Sequence, residues 1–227
     1  MTRIWRTAWL IAKKDLVVEA RSRELVYTTG FFAVTCVFVF AFGLVTEGRA
    51  NDGAAAAILW VSLLFSGTLA LGRTFERERE GETLRALLLA PVERPAVYLG
   101  KLLALLLLMM GVEAVVVPLV GLLFQAPIGR APALLIGLLA AGTLGFACVG
   151  TLFAAMLIRA RSRDVLLPIV LYPIVIPVLI AGVRGTAAVF APDPDLAMAE
   201  VWLSMLLFFD AVFVTLALWT FGPLMRE

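Results

Sequence analysis

Residues 96–124 read AVYLGKLLALLLLMMGVEAVVVPLVGLLF, with Lys101 near the start and Glu113 the only charge in the interior. At about 1.5 Å per helical residue, such a run exceeds the ~30 Å hydrocarbon thickness of a bilayer. It shows none of the apolar–polar alternation of an outer-membrane barrel strand. Five further apolar stretches accompany it: Leu25 to Val45, Ala54 to Gly72, Ala131 to Ile158, Val165 to Val183 and Glu200 to Gly222. Only helices and closed barrels satisfy their backbone groups in lipid, so the pattern predicts an all-α integral membrane protein with six transmembrane helices. Composition agrees, at 62% hydrophobic and 16% charged over 227 residues. Ordinary soluble chains run about half apolar and a quarter charged. Soluble, disordered, collagenous, disulfide-stapled and coiled-coil classes are excluded by the same figures.

The charges are bunched, and their positions predict an orientation. Residues 1–24 and 73–101 hold six Lys or Arg each, Arg159, Arg161 and Arg163 follow, and Arg226 closes the chain. The opposite side holds three: Arg49, Arg130 and Arg184. The positive-inside rule then places both termini in the cytoplasm of a multi-pass inner-membrane protein. A cleaved signal peptide is not expected, because the first apolar run begins only after residue 24 and is too long for one.

Three segments stand out. Residues 1–24 repeat apolar positions at helical spacing (Trp5, Ala8 or Trp9, Ala12, Leu16, Ala20), with Arg6, Lys13, Lys14 and Arg21 elsewhere. This predicts an amphipathic elbow helix in the headgroup region, acting either as an anchor or as an element that moves with span one. The loop 73–95, RTFEREREGETLRALLLAPVERP, extends span two by interleaved charges to Glu80 and breaks at Gly81. It then offers Thr83, Leu84, Leu87 and Leu88 as a short amphipathic turn stopped by Pro91. Exposed leucines on a cytoplasmic turn predict docking into a partner's groove, against the plainer reading of a turn lying on the bilayer. Span five carries Pro168, Pro173 and Pro177. Each removes a backbone donor, so the segment is expected inside the bundle, either as a gate or as a fixed kink.

Two carboxylates lie deep. Glu113 sits about 18 Å past Lys101 along a helix, and Asp210 lies between Trp202 and Trp219, which read as interface anchors. Intramembrane carboxylates mark functional or inter-helix contacts. These two are expected to be protonated, bonded between helices, or turned toward a subunit interface or a water-lined cavity. Histidine is absent, which removes the commonest general base and metal ligand. No catalytic residues, metal site or bound cofactor are expected in this chain. Cys36 and Cys148 read as small buried hydrophobes, phosphate-binding loops are missing, and the basic segments suit an anionic leaflet and not nucleic acid.

Six spans, the elbow and the loop after span two together resemble the ABC-2 type exporter permeases. Thr83-Leu84, Leu87-Leu88-Leu89, Pro91 and Gly100-Lys101 follow that family's order. Glu82, Arg85 and Ala90 depart from its glycine, acid and serine. Within that group the chain is similar to the haem exporter protein B, or CcmB, permeases of cytochrome c maturation. The resemblance lies in the runs ILWVSLLFSGTLAL and RSRDVLLPIVLYPIVIPVLIAG and in the late Pro223 and Arg226. It implies a homodimer bound to a cytoplasmic ATP-binding subunit, with ATP hydrolysed there, and partnership with a haem-handling membrane protein and a periplasmic haem chaperone. It implies haem as the species exported, or ATP-driven release of the haem-loaded chaperone with no haem passing through this chain. A generic ABC-2 exporter of lipid, glycan or drug shares every feature except the family-specific runs.

Overall fold

A computed structural model of the chain describes residues 2–44, 52–80, 93–157 and 162–224. Among these residues there are seven helices and no strand: α1 (Thr2–Ser22), α2 (Glu24–Leu44), α3 (Asp52–Glu80), α4 (Arg94–Phe124), α5 (Pro132–Met156), α6 (Arg163–Phe190) and α7 (Leu196–Leu224). Six of them, α2 to α7, are long and apolar enough to cross a membrane. The outward faces are as apolar as the core, with Phe42 84% and Trp219 79% exposed. Water would not tolerate so many such residues, whereas lipid does. Span five runs further than the apolar count suggests, so that Arg184 lies on α6 itself.

Local chemistry sets the ends. Arg23 takes a left-handed conformation, φ 55°, between α1 and α2. This ends one helix in the αL manner, and its amide reaches the Glu19 carbonyl at 2.6 Å. The Glu19 carboxylate then accepts from the Val26 amide at 2.9 Å, satisfying a donor at the start of α2 that has no partner within its own helix. Prolines stand in the first turn of α4 and of α5, where the missing amide costs nothing.

Helix α5 is the hub, packed against α3, α4, α6 and α7, while α3 also meets α2, α4 and α6. Glycines on α5 let large side chains approach: Gly142 faces the Trp60 ring, and Gly150 faces Leu71. Helices α2 and α7 keep most of their surface outside the bundle. The elbow bends into α2 at Arg23, yet α1 packs chiefly on α4 and only slightly on α2. It is built onto span three and does not simply continue span one.

Span five differs from expectation as well. It lines the bundle with one face only, through Leu167, Leu171, Val175 and Val178. Val165, Ile169, Ile176 and Ile180 are exposed, as is Pro173. The helix runs unbroken from Arg163 to Phe190 through all three prolines. The amides they lack would otherwise reach the carbonyls of Asp164, Ile169 and Pro173. A continuous helix accommodates this because each loss is local and the turns between them retain their bonds.

Candidate functional site

The seam between α3 and α6 is tight at one end and open at the other. At the tight end Trp60 of α3 donates its Nε1 proton to Thr186 Oγ1 of α6 at 2.9 Å, fully buried. The indole occupies a slot with glycine walls. A Cβ at Gly142 would stand 2.1 Å from its ring, and one at Gly182 would stand 2.5 Å from it. Trp60 therefore locks α3, α5 and α6 together. Five residues further along α3, Phe65 and Tyr172 still meet edge-on, 6.2 Å between ring centres. Beyond them a cleft of about 520 Å³ opens between α2, α3 and α6, lined by Phe32, Phe65, Thr68, Arg73, Pro168 and Tyr172 among others.

Of the three prolines, Pro168 lines this cleft. Pro173 faces outward, and Pro177 lies further along, half-buried. Helix α3 continues past the cleft to Glu80, about 30 Å beyond Trp60 at helical rise. Glu80 is its last residue. Gly81, Thr83, Leu84, Leu87, Leu88 and Pro91 lie outside the described residues.

The two deep carboxylates are both enclosed within one chain. The Thr143 hydroxyl of α5 donates to the Glu113 carboxylate of α4, which is the inter-helix bond among the alternatives above. Asp210 of α7 is 4% exposed and sits against Gly145, where a Cβ would lie 2.7 Å from Oδ1. Neither of its carboxylate oxygens has a hydrogen-bond partner among the described residues. Both side chains are buried within this chain, Glu113 at 8% and Asp210 at 4% exposure. Cys148 is more than a filler, because the Tyr98 hydroxyl lies 3.0 Å from both its carbonyl and its sulfur. Met109 and Met110 point apart: Met109 is buried near Gly67, whereas Met110 is 55% exposed. Among the described residues no cluster of three or more His, Cys, Asp or Glu could hold a metal ion.

Sequence reasoning missed a second fixed joint, at the elbow. Lys101 of α4 is 3% exposed and places Nζ 2.6 Å from Asp15 Oδ2 of α1. Lys14 reaches the other oxygen of Asp15 at 2.9 Å. Beside it, Gly100 brings the helices into contact, a Cβ there lying 2.7 Å from Ile11 and 2.9 Å from the Ala8 carbonyl. The signals were present: Asp15 and Glu19 fall on the same face as Ala8, Ile11 and Ala12, and a small residue precedes the lysine. In the same way Gly142 and Gly145 on α5, and Gly182 and Gly185 on α6, mark close approach in otherwise bulky runs.

The profile of the CcmB protein family matches residues 6–226, essentially the whole chain. The chain belongs to the CcmB family. Named relatives span most of it. Heme exporter protein B of Rhodobacter capsulatus is 32% identical over 174 residues, 74% of this chain and 78% of that protein. Heme exporter protein B of Pseudomonas aeruginosa is 27% identical over 173 residues, 76% and 77% respectively. That of Bradyrhizobium diazoefficiens is 28% identical over 179 residues, 79% and 80%. The match therefore takes in the Trp60 seam, the elbow joint and the deep carboxylates alike. A CcmB-family chain of six apolar helices is a multi-pass membrane protein, and a transmembrane subunit in place of an enzyme.

Proposed function

We propose that this chain is the membrane permease of an ABC transporter that handles haem in cytochrome c maturation. The observation that carries the reading is the end-to-end family match together with relatives named as haem exporters. The permease sits in the bacterial inner membrane with both termini cytoplasmic and pairs with a second copy of itself. ATP is bound and hydrolysed by a separate cytoplasmic subunit that docks on residues 80–91.

The geometry supports a lever. Closure of the ATP-binding subunits pushes on Glu80, Gly81, Thr83, Leu84, Leu87, Leu88 and Pro91. Helix α3 is one continuous rod from Asp52 to Glu80, so a push at Glu80 becomes a tilt about the Trp60 slot. The far end is fixed by Thr186, Gly142 and Gly182, and the motion is spent at the cleft beside Pro168 and Tyr172. Prolines 168, 173 and 177 lower the cost of bending α6, since their turns have already lost amide bonds. The elbow, pinned to α4 through Lys101 and Asp15, holds span three while span two moves.

Two outputs follow from such a stroke. The relatives' name supports export of haem through or along this chain. The complete absence of histidine supports the second output, in which the stroke releases a haem-loaded periplasmic chaperone from a haem-handling membrane partner. Replacing Leu84 and Leu87 together by Asp tests the docking step. The ATP-binding subunit is expected to be lost from the purified complex while the permease itself is retained; undiminished co-purification contradicts the lever.

A further inference from the structure

A second opening, of about 600 Å³, lies between the elbow and spans one and three, away from the α3–α6 seam. Its lining is almost wholly apolar: Leu16 and Ala20 from α1, Phe31 and Val34 from α2, and Leu108 and Val115 from α4 among others. The one carboxylate there, Glu19, has its Oε1 engaged by the Val26 amide. Two glycines make the groove. A Cβ on Gly30 or on Gly111 would meet nothing within 4 Å, so on both walls a side chain is missing where ordinary packing would supply one.

The groove also has a direction and a length. It starts at the α1–α2 joint and follows α2 from Val26 to Val34 and α4 from Leu107 to Val115. Eight residues of helix rise about 12 Å, close to half of a ~30 Å hydrocarbon core. Two exposed cations lie near the lining residues in sequence, outside the lining itself. Lys13 lies one turn before Leu16 on α1, and Arg23 lies at the joint. Basic side chains beside an amphipathic helix attract anionic headgroups.

We propose that this groove is a binding site for one phospholipid of the inner leaflet, an acyl chain lying between Gly30 and Gly111 and an anionic headgroup held by Arg23 and Lys13. The lipid fills the space that side chains leave between the elbow and span one, and so completes a joint where α1 and α2 touch little. Only the naming of the leaflet rests on the orientation proposed above; retention of the lipid is read independently of any haem phenotype.

Native mass spectrometry of the purified chain, extracted from membranes containing phosphatidylglycerol and phosphatidylethanolamine, tests it. The wild-type chain is expected to retain one phosphatidylglycerol through detergent exchange. Gly30→Leu with Gly111→Leu fills the groove, and the adduct is expected to vanish while the circular dichroism spectrum stays helical. Arg23→Gln and Lys13→Gln leave the groove open and are expected to reduce the preference for the anionic lipid about fivefold for each charge removed. A benzophenone amino acid in place of Val115 is expected to cross-link to lipid. No retained lipid on the wild type, an unchanged adduct on the double leucine variant, or cross-linking of Val115 to a second copy or another protein overturns the proposal.

Discussion

Gly142→Ala perturbs the fulcrum with a single methyl group. The new Cβ would lie 2.1 Å from Cη2 and 2.5 Å from Cζ3 of Trp60. Carbon atoms rest at about 3.5–4.0 Å, so the indole must retreat by more than about 1 Å. Two walls oppose that retreat. Gly182 closes the other face, its Cβ position being 2.5 Å from Cε2, and Nε1 is held by Thr186 at 2.9 Å. Overpacking of this kind costs about 1–3 kcal/mol, and breaking the buried bond adds about 1 kcal/mol. The expected loss is thus roughly 2–4 kcal/mol. Trp60→Leu removes the ring, so the same alanine is expected to cost little in that background. The difference, roughly 2–4 kcal/mol, is the coupling energy between the two positions. Reversible unfolding of the four proteins by SDS titration in mixed micelles, followed by circular dichroism, measures it. If Gly142→Ala is as stable as wild type, or costs the same with and without the indole, the slot does not hold the helices as described.

Four further substitutions probe the polar contacts by the same titration. Asp15→Asn is expected to cost about 3 kcal/mol, because it takes the 2.6 Å carboxylate from a buried ammonium. Lys101→Met is expected to cost less than about 1 kcal/mol, since Asp15 keeps Lys14 at 2.9 Å; equal losses contradict this asymmetry. Thr143→Val removes the bond to Glu113, and a loss of about 1 kcal/mol is expected. Asp210→Leu replaces a carboxylate whose oxygens lack partners among the described residues with an apolar group of similar shape. Stability is expected to hold or rise, and a loss above about 2 kcal/mol would mean that Asp210 has a partner.

The spans were legible because lipid demands length and apolarity, and Ala96 to Phe124 supplies both without ambiguity. The neighbours of each helix were not, since a leucine against lipid and a leucine against protein read alike. Span five shows the consequence. Its prolines suggested burial, yet Pro173 faces outward, because a local loss of backbone bonds does not decide which face a helix turns inward. The elbow was legible as a helix, while its partner was hidden in Asp15, a charge on the face otherwise given to Ala8, Ile11 and Ala12. Glu113 announced a contact but not its partner, because Thr143 is an unremarkable residue in an apolar run. Trp60 read as one more span residue, since its slot is formed by two glycines more than 80 and 120 positions away.

The central claim is that this CcmB-family chain drives haem handling for cytochrome c. Deleting its gene and measuring holo-cytochrome c, together with covalent haem on the periplasmic chaperone, tests that claim most directly. Loss of holo-cytochrome c is predicted. A chaperone that stays loaded identifies the stroke as release, and an empty one identifies it as haem supply. Undiminished cytochrome c, with the chaperone unchanged, contradicts the account and returns the chain to the generic exporters.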